Sequence, residues 1–175
     1  MFHLVSKGVE DELKISNLTF LEEKILSIYH SLNITEPGFY NSKELINSFS
    51  EKFGIKTYYF DESSEANNLG GEYRIFLNVN QNPQKIWQDF AHELGHIIRH
   101  DGCQCSMGIP FREFQEWQAE SFAFHFCVPT FMLDLLELPQ LRCEAVELIA
   151  RLFNVETTFA DVRLEKWLQS REIYL

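Results

Sequence analysis

The chain has 175 residues, 45% hydrophobic and 14% aromatic, with 15 Lys and Arg against 26 Asp and Glu. A chain of this length buries roughly 70% of its unfolded surface, so neither a disulfide nor a structural metal is needed to hold a core. Its net charge of −11 repels phosphate backbones, which argues against a general nucleic-acid binder, and its hydrophobic content argues against disorder.

No apolar leader follows Met1, and the longest apolar stretch, Phe122 to Leu138, is broken by His125, Pro129, Asp134 and Glu137. The expectation is a cytoplasmic protein with no membrane span, its cysteines (Cys103, Cys105, Cys127, Cys143) free in a reducing compartment. Thr19-Phe20-Leu21-Glu22 reads as a capping box, and Leu21, Ile25, Ile28, Tyr29 and Leu32 continue at helical spacing up to Pro37-Gly38. Asn41 or Ser42 caps a second helix, with Leu45, Ile46, Phe49 and Phe53 on its apolar face and Gly54 as its stop. Ile55 to Phe60 is rich in β-formers and predicts a strand, 61–71 predicts a loop, and the alternation over Glu72 to Val79 predicts a second strand. Asn82-Pro83 starts a long helix to about Asp101, where Gly102 stops it. Pro110 opens another helix toward Cys127, and two more follow over about Pro139–Phe153 and Thr157–Ser170. The fold class read from this order is α+β: one mostly helical domain over 1–175, with a small sheet ahead of the helix that carries the chemistry. Its N-terminal helices reach about residue 54, the sheet and metal-binding helices occupy 55–136, and the helical C-terminal tail occupies 139–175.

The long helix contains His92-Glu93-Leu94-Gly95-His96, an H-E-x-x-H. Residues i and i+4 share a helical face, so both imidazoles reach one ion. Glu93 lies about 100° around from His92, within reach of a water at that ion but outside the ligand set. The alternative is a helix whose histidines merely face a core. A catalytic zinc takes three protein ligands and keeps a fourth position for water. Glu113, Glu116 and Glu120, spaced i, i+3 and i+7 on the next helix, are the candidates for the third. Two arguments favour Glu116. With a rise of about 1.5 Å per residue in two antiparallel helices, it matches the height of His96 best. It also leaves Glu120 one turn further on to hydrogen-bond a ligand histidine.

Phe90-Ala91-His92-Glu93-Leu94-Gly95-His96-Ile97-Ile98-Arg99-His100 resembles the zinc-binding helix of the ImmA/IrrE family of metallopeptidases. Glu116-Trp117-Gln118-Ala119-Glu120-Ser121-Phe122-Ala123, followed by Val128-Pro129, resembles that family's E-x-x-A-x-x-F-A…P signature, and Ile75-Phe76-Leu77-Asn78 also fits. The resemblance implies a zincin-like domain with His92, His96 and Glu116 as ligands of one zinc ion and Glu93 as general base. Where the family commonly has a short Asn or Asp four residues after the ligand glutamate, this chain has Glu120.

The expected chemistry is metal-assisted hydrolysis of an internal peptide bond. Zinc acidifies a water and polarises the scissile carbonyl, while Glu93 takes the proton and hands it to the leaving amine. Stabilisation of the oxyanion falls to an unidentified donor among His100, His125, Tyr58, Tyr59 and Tyr73. Cys103-Gln104-Cys105 lacks the second pair of a closed zinc site and reads as free thiols. The family resemblance implies a protein substrate, namely a helix-turn-helix repressor of a mobile element or stress response. Gly70-Gly71 ahead of the 72–79 strand would let an extended peptide approach a sheet edge, or is simply a turn. The helices flanking Asn154 have a helix-turn-helix look, but Cys143 to Arg171 holds four basic residues against five acids, so packing is favoured over DNA binding. The alternative function is a metal-containing module that sequesters a repressor without cutting it.

Overall fold

The computed structural model describes residues 19–99 and 109–172. His100, the stop at Gly102 and the thiols of Cys103 and Cys105 lie outside these residues. α1 (Phe20–His30) begins on the capping box: the Glu22 N–H donates to Thr19 Oγ1 at 3.4 Å, and the Glu22 carboxylate accepts from the Thr19 N–H at 2.8 Å. It ends at Ser31, ahead of Pro37-Gly38, because the chain turns at Asn33, which is left-handed with φ 58°. α2 (Ser42–Phe53) is capped by the Asn41 side chain and closed by Gly54 at φ 64°.

Three strands follow, β1 (Lys56–Phe60), β2 (Glu65–Leu69) and β3 (Glu72–Asn78), in the order β1-β3-β2. β3 is central, parallel to β1 and antiparallel to β2. The segment expected as a loop therefore contains a strand. Gly70 at φ 65° and Gly71 at φ 89° provide the two left-handed positions of a tight hairpin turn between β2 and β3. Ile75 and Leu77 turn inward and are fully buried, while Tyr58, Phe60 and Phe76 meet on the outer face.

α3 (Pro83–Arg99) opens with Pro at its first position, and Asn82 Oδ1 accepts the Lys85 N–H at 2.7 Å. α4 (Ile109–Cys127) runs back along it. Cys127 lies beside Trp87, and Gly95 faces Ala119 and Phe122, the near-constant sum of residue numbers expected of antiparallel helices. A Cβ on Gly95 would come within 3.2 Å of the Ala119 Cα and of Phe122 Cβ, so glycine permits this closeness. Pro129 interrupts the helical path and starts the short α5 (Thr130–Leu133), which the sequence pattern did not predict. α6 (Arg142–Phe153) and α7 (Thr157–Glu172) complete the chain, joined through Asn154 in the left-handed region. No helix among the described residues is long and apolar enough to cross a membrane.

The core is an aromatic cluster where α1, α2, α3 and α4 meet. Phe49 lies 4.7 Å from Phe126 and 5.1 Å from Tyr29, ring centre to ring centre, and Trp87 lies 5.6 Å from Phe126. The Tyr29 hydroxyl donates to the Phe126 carbonyl at 2.6 Å, so its burial leaves no polar atom unpaired. A second anchor is a buried cation held by neutral hydrogen-bond acceptors. Arg163 of α7, only 1% exposed, donates to the Val128 carbonyl at 3.1 Å and to Thr130 Oγ1 at 2.8 Å. Thr130 in turn donates to Glu22, and His125 Nε2 stands 3.9 Å from the same carboxylate. Burial lowers the Arg163 guanidinium to about 10, opposed by the attraction of Glu22 and Asp134. Burial opposes ionisation of Glu22 too, but hydrogen bonds from Thr130 and Thr19, with His125 nearby, together hold its carboxyl below the usual range.

His125 is held neutral. Burial first, then the Arg163 charge, bring its imidazole down to about 4, although its ring N–H donates to the Ser121 carbonyl at 2.9 Å. A folded-state value below the unfolded 6.5 gives a contribution that is complete above pH 6.5 and is lost as pH falls toward 4. We expect the stability difference between the natural chain and His125→Gln to shrink by about 2 kcal/mol between pH 7 and pH 5, read from urea midpoints. A difference that is constant across this window would show that His125 does not titrate as its surroundings require.

Candidate metal centre

α3 places His92 and His96 one turn apart, with their Nε2 atoms 3.1 Å from each other and the ring planes at 76°. α4 brings Glu116 to the same point: its Oε2 lies 3.3 Å from His92 Nε2 and 3.6 Å from His96 Nε2. All three donor atoms fall within 4.8 Å of one another, forming a group able to hold a metal ion. A tetrahedral zinc with bonds of about 2.0 Å sets its ligand atoms roughly 3.3 Å apart, and the three observed edges bracket that value. Two nitrogens and one carboxylate oxygen are a donor set that suits zinc and related divalent ions. The residues present therefore fit the ion. The side chains of His92 and His96 are 29% and 14% exposed and that of Glu116 is 48% exposed, so the triangle opens to solvent on the α4 side.

Glu93 stands beside His92 and is buried. Desolvation, followed by the charges of Asp89, Glu116 and Glu65, pushes its carboxyl up to about 7, against a hydrogen bond from the backbone of Ala66. A carboxyl poised near neutral pH can both accept and return a proton. Ala66 belongs to β2, so the strand that the sequence reading missed supplies the backbone facing the general-base candidate. The residues Glu65-Ala66-Asn67-Asn68-Leu69 have low strand propensity. The available signal was Gly70-Gly71, a two-residue hairpin turn followed by a clear strand. A short chain of hydrogen bonds fixes the start of β2 in place. Ser64 Oγ donates to Asp89 Oδ2 at 2.9 Å and accepts the Asn78 N–H at 3.1 Å, while Lys85 Nζ donates to Asp89 Oδ1 at 2.6 Å.

The other sequence candidates lie elsewhere. Glu113 and Glu120 line a groove next to the triangle but are not in it. The expected hydrogen bond from Glu120 to a ligand histidine is not formed. Its side chain is exposed and makes no hydrogen bond or ion pair among the described residues, because it projects into the groove. Tyr58 stacks on Phe76 at 5.2 Å on the outer face of the sheet, and His125 is engaged near Glu22 and Arg163. The α6–α7 pair is used in packing: Glu156, at the start of α7, bonds Gln88 of α3 through its N–H at 2.7 Å and its carboxylate at 3.2 Å.

The IrrE N-terminal-like domain of the peptidase M78 family matches residues 49–165 of the chain, from α2 to α7. The phage-like element PBSX protein XkdA of Bacillus subtilis (strain 168) is 40% identical over 148 residues, covering 85% of this chain and 73% of that protein. The uncharacterized protein YqaB of the same organism is 35% identical over 144 residues, covering 82% and 81%. The matched region holds every element that builds the donor triangle, and by both measures the chain belongs to the IrrE-like M78 peptidase family.

Proposed function

We propose that the protein is a zinc-dependent metallo-endopeptidase that cuts a specific helix-turn-helix repressor. The carrying observation is the triangle of His92, His96 and Glu116 with the buried carboxyl of Glu93 beside it. Membership of a peptidase family supports peptide-bond hydrolysis, and the similarity to a phage-element protein supports a repressor of a mobile element as the substrate.

His92, His96 and Glu116 would hold the ion, which when bound supplies a Lewis acid that acidifies a water and polarises the scissile carbonyl. Glu93 takes a proton from the attacking water on its carboxylate and returns it to the amine nitrogen as the peptide bond breaks. Burial beneath β2 opposes ionisation of that carboxyl, which favours uptake of the proton from the water. The free edge of β2, which pairs only with β3 among the described residues, can accept an extended peptide by backbone hydrogen bonds. Ser64 and Asp89 hold that edge at a fixed height over α3.

Elemental analysis should find about one zinc per chain, and His92→Ala should abolish it; full zinc retention in that variant would remove the ligand assignment. Glu93→Gln should keep the zinc and lower cleavage by about 10²–10⁴-fold, since it removes only the proton acceptor. Glu116→Gln should weaken zinc binding while Glu113→Gln should not, and the reverse pattern would place the ligand one turn earlier on α4. The substrate is tested by asking whether a neighbouring reading frame encodes a small helix-turn-helix protein and incubating the two with zinc. Selective cutting, absent in Glu93→Gln and accompanied by poor digestion of casein, is the expected result. Tight binding of an uncut repressor by both forms would mark a sequestering module.

A further inference from the structure

From the donor triangle a groove of about 630 Å³ runs between α3 and α4 toward α7, sharing His92 and Glu116 with the candidate centre. A peptide lying across the triangle must place a side chain in or over it. Its charged walls are unevenly used. Asp89 is paired with Lys85 and Ser64, and Glu116 points at the histidines. Glu113 and Glu120 are exposed and make no ion pair or hydrogen bond among the described residues. Seven residues separate them, about 10 Å along a helix, too far to chelate one ion together.

Trp117 lies between these two carboxylates, four residues after Glu113 and three before Glu120, so all three share one helical face. Its indole lines the groove and is 60% exposed, with Phe114 stacked on it at 5.9 Å. Further along, Phe124 packs on Phe159 at 4.4 Å and already carries a cation, Lys166 Nζ, 4.1 Å from its ring centre. An aromatic wall flanked by unpaired carboxylates favours a cation and disfavours the alternatives. An acidic side chain is repelled, and an apolar one would desolvate the carboxylates without return. Between the two basic residues, the planar guanidinium both stacks on an indole and forks to a carboxylate, which an ammonium does less well.

We propose that this groove is a specificity subsite for an arginine side chain of the peptide substrate, the guanidinium stacked on Trp117 and paired with Glu113 or Glu120. The inference rests on the peptidase reading and adds its side-chain preference.

The test uses the zinc-loaded Glu93→Gln chain and fluorescence anisotropy of labelled peptides on one alanine/serine scaffold. A single arginine, citrulline, glutamate or leucine is stepped through the positions. The arginine peptide should bind about tenfold more tightly than its citrulline counterpart at the best position, and high salt should reduce that factor. The preference should be lost in Glu113→Gln/Glu120→Gln and in Trp117→Ala, with zinc content unchanged. These side chains are exposed, so the variants should fold. Absence of arginine-dependent binding, or a preference that survives both variants, overturns the assignment. Cleavage by the natural chain is read separately. Cutting without arginine selectivity overturns the subsite and leaves the peptidase. Arginine-selective binding that depends on Trp117, with no cutting of any peptide or of the repressor, supports the groove assignment and removes the peptidase reading.

Discussion

The close approach of α3 and α4 at Gly95 is the constraint on which the site depends. Two of the candidate ligands stand on one helix and the third on the other, so the distance between the helix axes sets the size of the donor triangle. Gly95 lies between the two histidines in sequence and faces Ala119 and Phe122 across the interface. A methyl group there would meet atoms at 3.2 Å, one of them backbone, and the helices would have to separate by a few tenths of an ångström. Alanine would be worth about 1 kcal/mol more than glycine in a helix interior. That gain would work against the fit of Glu116 at 3.3 and 3.6 Å from the histidines, where a few tenths of an ångström decides whether an ion is held.

The remaining elements hold this pair of helices in place against a local excess of negative charge. Glu93 is desolvated by burial and also crowded by Asp89 and Glu116, and its carboxyl is pushed up. Such an arrangement destabilises the protein unless a cation joins it or protons are taken up. Stability has to come from elsewhere, and two regions supply it. The aromatic cluster of Tyr29, Phe49, Trp87 and Phe126 sits behind α3 and α4. Arg163, buried and hydrogen-bonded to Val128 and Thr130, ties α7 to the end of α4, and Thr130 passes the link on to Glu22 of α1. A buried cation that loses a hydrogen-bond acceptor is left uncompensated in a desolvated place, so this contact fixes one arrangement of the helices around the site.

What could be read from sequence were features with local causes. The Thr19 box, the Asn41 cap, the Gly54 stop and Pro83 at a helix start each act within a few residues, and each appears where its chemistry places it. The histidine pair was legible because four residues return to the same helical face, and Glu116 could be favoured from helical rise alone. The features that escaped have non-local causes. β2 is composed of poor strand formers and exists because β3 pairs with its backbone and Glu93 of α3 accepts a hydrogen bond from the backbone of Ala66. Arg163 sits in a helix with mixed charges, where nothing in the local pattern distinguishes a buried cation from a solvated one. Glu120 was expected to contact a histidine, but the direction its side chain takes depends on the groove beside it.

This arrangement separates two tasks around one point. Glu93 and the backbone of Ala66 belong to the side of α3 that faces the sheet, where burial opposes ionisation of the carboxyl. The groove lies where α3 faces α4 and α7, where exposed Glu113, Trp117 and Glu120 meet solvent. A bound peptide could then be held by its backbone at β2 and identified by a side chain in the groove, with His92 and Glu116 bordering both regions. The two demands conflict electrostatically, because acids placed near the ion raise the pKa of Glu93. Distance along α4 eases the conflict. Glu113 and Glu120 sit about a turn either side of Glu116, far enough for solvent to screen them and close enough to act on a cation in the groove. Residues of α4 one turn from Glu116 can therefore vary the charge of the groove while the candidate metal-binding triangle stays as it is.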